Sequence, residues 1–300
     1  MKISTYTWKR HCIFLCIGSL LFTLPLECAR ACSVPVFYFA LFEWRSDSHT
    51  MVLGTLPKGI NEASIKDRLD HSPANLDLAP ASPIATSTTV PAGHVQIRFS
   101  KNNRLWWDAP FPGDDPKKGL DLLMDSPVRQ DIVRKLISGD SIIWVLLESG
   151  DKKADDAAFL QIATRLKYLR KIIELPAADN NGGGGIEEGP DPRNTPVPLK
   201  IAFDVIRVSR SDPKEVGLVA QLTNVAPDLL SIKSPIAYPV FGRALVMAPI
   251  YGKNLDVAHI DNWTEFAVGA CSCRVKDQNP GIDLLVSADW DNLLGAVRKP

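Results

Sequence analysis

The sequence predicts an α/β fold in which helices flank a mixed or parallel sheet. The clearest evidence is a helix–strand–helix unit with short joints. Its first helix places apolar side chains of residues 128–137 on one face, with Ser126 as N-cap and Pro127 at the first helical position. The almost wholly apolar run 141–147 is typical of a strand buried on both faces. A second amphipathic helix follows and ends at Pro176.

Weaker patterns predict the remaining elements. A helix or a strand starts near Pro35, and Val95, Ile97 and Phe99 alternate as in a half-buried strand. The other predicted elements are strands at 50–56, 201–208 and 240–247, and helices at 61–69, 214–225 and 254–267, the last with Val257 facing inward. Residues 71–93 are expected to form a loop and residues 103–118 an aromatic, turn-rich surface segment.

The composition divides the chain into four parts. We expect a signal peptide at 1–31, an N-terminal α/β domain at 32–176, a Gly/Pro-rich linker at 177–198, and a C-terminal α/β domain at 199–300. The linker holds a run of four glycines, but no strand leads into it and no Lys–Ser/Thr pair follows. A phosphate-binding loop is therefore not indicated.

The first 31 residues have the layout of a secretory signal peptide. A basic start is followed by the apolar run 12–26 and by Ala29-Arg30-Ala31, a small-x-small cleavage pattern. The apolar run is shorter than the roughly 20 residues that span a bilayer. We expect cleavage after Ala31 and a periplasmic or secreted protein. The alternatives are a lipid anchor on Cys32 and an uncleaved membrane anchor.

Removal of this segment changes the charge of the protein. The whole chain is formally neutral, and residues 1–31 carry four basic residues and one acidic residue, so the remainder has a net charge of −3. A weakly acidic protein is not expected to bind nucleic acid, and no other stretch is apolar enough to span a membrane. Its partner is unknown; an envelope protein is one candidate.

Three cysteines remain after cleavage: Cys32, Cys271 and Cys273. In an oxidising compartment they permit one disulfide and one free thiol. Cys271 and Cys273 in an extended chain have Cα atoms about 6.6 Å apart, near the upper limit for a disulfide, so a bond between them is expected to be strained and easily reduced. The other interpretation is a structural bond between Cys32 and one of the pair.

Catalytic and metal-binding roles for these cysteines are both open. The neighbouring Arg274 and Lys276 favour thiolates, whereas the C-terminus of the preceding helix raises the pKa of nearby thiols. Cys271, Cys273, Cys32 and His259 are the candidate ligands of a thiolate-rich zinc site, although their spacing matches no standard zinc motif. No other cofactor is predicted. Hydrolase motifs such as Gly-x-Ser-x-Gly are absent from the sequence.

Two segments resemble parts of a thioredoxin-like fold. Cys32-Ser33-Val34-Pro35 ahead of a helix is similar to its active-site cysteine, and Tyr238-Pro239-Val240-Phe241 is similar to its cis-proline segment. The resemblance implies that Cys32 lies at a helix N-terminus with a lowered pKa. The sequence departs from the pattern at Pro35, where the second cysteine would stand.

A wider resemblance spans most of the chain after the signal peptide. The sequences at 32–37, 126–130, 141–150 and 269–281 resemble a family of uncharacterised exported proteins of planctomycete- and verrucomicrobia-type bacteria. The resemblance implies a location in the bacterial envelope and no activity or cofactor. Two hypotheses follow: an envelope thiol or metal protein that uses Cys271 and Cys273, and a non-catalytic structural or interaction protein whose cysteines form a structural disulfide.

Overall fold

The protein consists of two mixed sheets flanked by helices. The structure is a computed structural model, and it describes residues 34–56, 60–79, 90–176, 192–270, 276–278 and 281–295. The helices are α1 (Val36–Glu43), α2 (Glu62–Asp70), α3 (Pro116–Met124), α4 (Pro127–Ile137), α5 (Lys152–Ile172), α6 (Val216–Asn224), α7 (Val257–Val268) and α8 (Trp290–Leu293). The strands are β1 (His49–Leu53), β2 (Leu76–Leu78), β3 (Val95–Arg98), β4 (Leu105–Ala109), β5 (Ile142–Leu147), β6 (Phe203–Val208), β7 (Ile236–Phe241), β8 (Leu245–Val246), β9 (Ile250–Tyr251) and β10 (Ile282–Asp283).

The first sheet has the strand order β2-β1-β3-β4, in which β1 and β2 are parallel and the other pairs are antiparallel. The second sheet has the order β10-β8-β7-β5-β6, with β9 also paired to β7. In this sheet β5 and β6 are parallel, and β7 is antiparallel to β5. The predicted α/β class with mixed sheets and flanking helices is confirmed.

Strand β5 is the centre of the second sheet, and all six of its side chains are buried. Ile142, Trp144 and Leu146 pack with α1, α5 and α7, while the alternate side chains pack with α4 and α6 on the opposite face. An apolar residue at every position is what a strand with helices on both faces requires. Since β5 precedes the Gly/Pro-rich segment and its partners β6 and β7 follow it, one sheet joins the predicted domains 32–176 and 199–300.

The two helices predicted around the apolar run 141–147 are α4 and α5, and polar side chains cap the N-terminus of each. The side chain of Ser126 accepts a hydrogen bond from the backbone N–H of Arg129, with Pro127 in the first turn of α4. Helix α5 begins at Lys152, because the side chain of Asp151 caps it. Asp155 in its first turn accepts the backbone N–H groups of Ser149 and Gly150, just before the helix, at 2.7 and 3.0 Å.

The predictions for residues 71–93 and 103–118 were wrong in part. Strand β2 lies in the first of these segments, and β4 and α3 begin in the second. Trp106 is buried against Phe99 rather than exposed. The side chain of Asp115 caps α3, and Pro116 occupies its first turn. Val257 was also expected to be buried but is exposed, since Asp256 caps α7 and leaves Val257 at its first position.

The chain segment after β10 connects the two sheets. The backbone N–H of Leu284 donates to the carbonyl of Ala244 beside β8, at 3.0 Å. Two residues later, the N–H of Val286 donates to Asn75 Oδ1 beside β2, at 2.8 Å. Leu284 and Val286 are buried with the second sheet, and Leu285 between them is buried with the first. The segment therefore contributes to both cores.

Candidate functional site

The ends of two helices meet where the sequence placed the candidate cysteines. The backbone N–H of Gly269 donates to Glu265 O at 2.8 Å and closes α7, and the N–H of Val36 at the start of α1 donates to Gly269 O at 2.9 Å. Pro35 and Ala270 form an antiparallel β-bridge beside this bond. Pro35 offers no side-chain cap to α1, so the Gly269 carbonyl satisfies an N–H group that would otherwise lack a partner.

Cys32, Cys271 and Cys273 lie outside the described residues, but this bridge fixes where the chain leaves toward each of them. Cys32 is three positions before Pro35, and Cys271 and Cys273 are one and three positions after Ala270. The fold therefore brings together two segments that are far apart in sequence.

Lys276, expected to favour thiolates, is bound to other groups. Its Nζ contacts Asp47 Oδ1 at 2.9 Å, the carbonyl of Arg45 at 2.5 Å, and the carboxylate of Asp283. Asp283 is buried and also accepts the backbone N–H of Asp47 at 2.7 Å. Burial raises the pKa of Asp283 to about 6, and the charge of Lys276 opposes that rise. Lys276 thus ties its chain segment to the β1 side of the molecule.

His259, the fourth candidate zinc ligand, lies near the opposite end of α7 from Gly269. The helix rise of 1.5 Å per residue separates the two residues by about 15 Å along the helix axis. The Nδ1 atom of His259 contacts Asp256 Oδ1 at 2.8 Å, and Asp256 also caps the helix. Among the described residues, no group of three His, Cys, Asp or Glu side chains is placed to hold a metal ion.

Comparison with protein-family models, with curated proteins and with solved structures found no match to this chain. Evidence for its function therefore comes from its own residues. Among the helices that the structure describes, none combines the length and the apolar character that crossing a bilayer requires. The thioredoxin-like resemblance stays a prediction. Pro239 lies inside β7, paired with Trp144 of β5, and no peptide bond in the described ranges is cis.

A polar surface cleft of about 560 Å³ lies near the Lys276 contacts. Arg243 lines it and donates to the carbonyls of Leu41 and Phe42 at 2.9 and 3.1 Å, which places a cation at the C-terminus of α1. Its remaining Nη1 is 3.8 Å from Asp291, and Arg45 Nη1 is 4.0 Å from the same carboxyl group. Both arginines of the cleft thus face a carboxylate of the chain itself.

A buried polar cluster between the sheets was missed by the sequence analysis. His49 of β1 receives the indole N–H of Trp106 on its Nδ1 and contacts Gln221 Nε2 of α6 through its Nε2, both at 3.2 Å. Gln221 Oε1 accepts from Arg129 Nη2 at 3.3 Å and from the backbone N–H of Leu285 at 3.2 Å. The cluster is formed by residues of β1, β4, α4 and α6 and of the segment after β10. Because these residues are far apart in sequence, no local spacing predicts the cluster.

The electrostatics of this cluster favour a neutral histidine. Burial, followed by the charge of Arg129, lowers the pKa of His49 to about 4. Burial also lowers the pKa of Arg129 to about 10, against the opposing carboxylate of Glu215. Glu215 Oε1 accepts the N–H of Val128 at 2.9 Å. Because the cluster is closed to solvent and most of its polar atoms are bonded, its arrangement is that of a structural junction.

Proposed function

We propose that the chain is an exported protein of the bacterial envelope whose cysteines serve a structural disulfide between Cys32 and Cys273. In this proposal the bond ties the N-terminal segment to the segment after α7, and Cys271 keeps a free thiol. The single observation that carries the proposal is the antiparallel bridge between Pro35 and Ala270.

The register of that bridge favours Cys273 over Cys271 as the partner of Cys32. In an antiparallel pair, each step back along one strand matches one step forward along the other. If the pairing continued three steps beyond this bridge, Cys32 would face Cys273, whereas Cys271 would face Val34. Facing residues of antiparallel strands have Cα atoms about 4.5–5.5 Å apart, which is inside the range that disulfides span.

The contacts of Lys276 also weaken the redox alternative. A nearby cation that is free to stabilise the thiolate makes a thiol more reactive. Lys276 is bound instead to Asp47 and Asp283. A bond between Cys271 and Cys273 would leave Cys32 as a free thiol. The register of the bridge does not favour this bond.

Thiol titration with serine variants tests the proposal. The chain cleaved after Ala31, obtained from a host that exports and processes it and purified without reductant, is expected to show one reactive thiol after denaturation, and three after reduction. Cys32→Ser and Cys273→Ser should each lower the free energy of unfolding by about 2–5 kcal/mol. Cys271→Ser is the matched control and should change it little.

Three results would count against the structural disulfide. Three free thiols before reduction would remove the bond altogether. A bond that mild reductant opens, and that survives Cys32→Ser, would support the redox hypothesis, while one equivalent of zinc in the purified protein would support the metal hypothesis.

A further inference from the structure

The outer face of α5 and α7 concentrates the exposed apolar side chains of the protein. Six large apolar residues are well exposed in the described ranges, and four of them lie on this face. Their exposed fractions are 65% for Leu160, 48% for Tyr168, 53% for Ile172 and 45% for Val257. Single exposed apolar residues are ordinary on protein surfaces, but a contiguous group usually marks an interaction site.

Leu160, Tyr168 and Val257 line a shallow groove between the two helices. The groove has a volume of about 610 Å³, and Leu160, Thr164 and Tyr168 follow one another at four-residue intervals along its α5 wall. Eight residues of helix correspond to about 12 Å. This length suits a partner helix of two to three turns, which contacts such a surface through residues at i, i+3, i+4 and i+7.

Polar contacts across its base fix the two walls. Arg165 forms a two-bonded ion pair with Asp261 of α7, with both distances 2.6 Å. Gln161 Nε2 donates to the carbonyl of Leu255 at 2.9 Å. The guanidinium of Arg165 also lies over the ring of Tyr168, 4.5 Å from its centroid. The groove is therefore formed before any partner binds, which reduces the entropic cost of binding.

The exposed surface of α5 is positively charged. Lys153, Lys167, Arg170 and Lys171 are exposed, and none of them forms an ion pair with another described residue. No acidic residue occurs between positions 157 and 173. On the α7 side, Asp261 is neutralised by Arg165, and Asp256 contacts His259. Glu265 of α7 is also exposed, and it forms no ion pair with another described residue. Among the described residues of these two helices, the cations without an ion-pair partner are therefore those of α5.

We propose that this groove binds an amphipathic helix of a partner protein, with acidic residues beside its apolar face. The apolar face supplies contact area to Leu160, Tyr168 and Val257, and the acidic residues pair with the cations of α5. A second copy of the chain is a poorer occupant, because antiparallel pairing of two α5 helices about a two-fold axis brings their basic surfaces together. The inference does not depend on the state of the cysteines.

Selection from a displayed peptide library tests this proposal. The probe is a set of 14-residue helical peptides with a fixed apolar face and randomised flanking positions, selected on the full-length protein. Enriched peptides are expected to carry Asp or Glu at the flanks. Leu160→Asp and Tyr168→Ser should each weaken their binding at least tenfold. Lys167→Glu together with Lys171→Glu should reverse the preference toward basic flanks.

The control variant is Leu230→Asp, since Leu230 is 60% exposed but lies outside the groove. It should leave peptide binding unchanged, and circular dichroism should show that every variant is folded. Enrichment of neutral or basic flanks, or binding that survives both Leu160→Asp and Tyr168→Ser, would overturn the proposal. Two other results would also overturn the proposal, provided that no acidic peptide is enriched. One is dimerisation of the protein in sedimentation experiments that Leu160→Asp abolishes. The other is binding to anionic phosphatidylglycerol vesicles that Leu160→Asp abolishes.

Discussion

Two interior regions of this protein are held together by different kinds of contact. Around β5 the contacts are almost entirely apolar, and all six side chains of the strand are buried. At the junction between the first sheet and α6, buried His49, Gln221 and Arg129 form a hydrogen-bonded cluster. Apolar packing is non-directional and tolerates exchange of side chains of similar volume. A buried polar cluster tolerates few substitutions. An atom that loses its hydrogen-bond partner there remains buried without a bond, and its desolvation is no longer compensated.

The largest expected effect is in the apolar region. Trp144→Ala removes a fully buried indole from β5 and leaves a cavity, so it should lower the free energy of unfolding by about 3–5 kcal/mol. Urea denaturation followed by circular dichroism measures this loss. Trp107→Ala, which removes the same side chain from a half-buried position in β4, should cost clearly less. Equal losses would show that the core around β5 is not the main source of stability.

The polar junction should respond to loss of one partner. Arg129→Met leaves Gln221 Oε1, Leu123 O and the buried Glu215 carboxylate without the guanidinium, at a cost of about 3 kcal/mol. In the double variant Arg129→Met/Glu215→Gln, the combined loss should fall short of the sum of the single losses by at least about 1 kcal/mol. Additive losses from denaturation curves would argue against coupling between these two charges.

The pH dependence of stability should contain two opposing contributions. The pKa of His49 in the folded protein is lowered from 6.5 to about 4, so its contribution to stability is present above pH 6.5 and is lost as the pH falls toward 4. The pKa of Asp283 is raised from 3.8 to about 6, so its contribution is present near pH 4 and is lost as the pH rises through 6. Each contribution amounts to about 3 kcal/mol, and they largely cancel between pH 4 and 6.

Removing one group at a time should reveal the other. Relative to the parent protein, Asp283→Asn should lose about 3 kcal/mol of stability as the pH falls from 6.5 to 4, since only the His49 contribution remains. Across the same interval His49→Gln should gain stability. Denaturation at a series of pH values measures both differences. Parallel pH profiles for the two variants would contradict the assigned pKa shifts.

The smallest expected effect is on the exposed face of α5. Leu160→Asp changes a side chain that is mostly exposed, and its effect on the free energy of unfolding should stay within about 0.5 kcal/mol. Leu166→Ala, on the buried face of the same helix, is the matched variant and should cost about 2–5 kcal/mol. A large loss from Leu160→Asp would mean that the groove belongs to the core rather than to a binding surface.

The same contrast explains how much of the structure could be predicted from sequence. Strand β5 and helices α4 and α5 were predictable because apolar periodicity and capping residues are local signals. Strand β2 has three residues and depends on its parallel pairing with β1, which no local pattern shows. The cap of α3, Asp115 followed by Pro116, was a local signal that the aromatic residues before it obscured.

The candidate site was predictable only in part. The three cysteines were visible as residues, but the meeting of Pro35 with Ala270 spans most of the chain and has no signature in sequence. The cluster of His49, Gln221 and Arg129 draws on elements equally far apart. The exposed apolar face of α5 could have been predicted from the sequence. Leu160, Tyr168 and Ile172 lie off the helix face that carries Ile162, Leu166 and Leu169.

Peptide mapping of the disulfide tests the central claim most directly. The full-length protein, purified from an exporting host, is alkylated without reduction, digested and analysed by mass spectrometry. We predict a linked pair of peptides that contains Cys32 and Cys273, together with an alkylated Cys271. A peptide in which Cys271 is bonded to Cys273 while Cys32 is alkylated would contradict the claim.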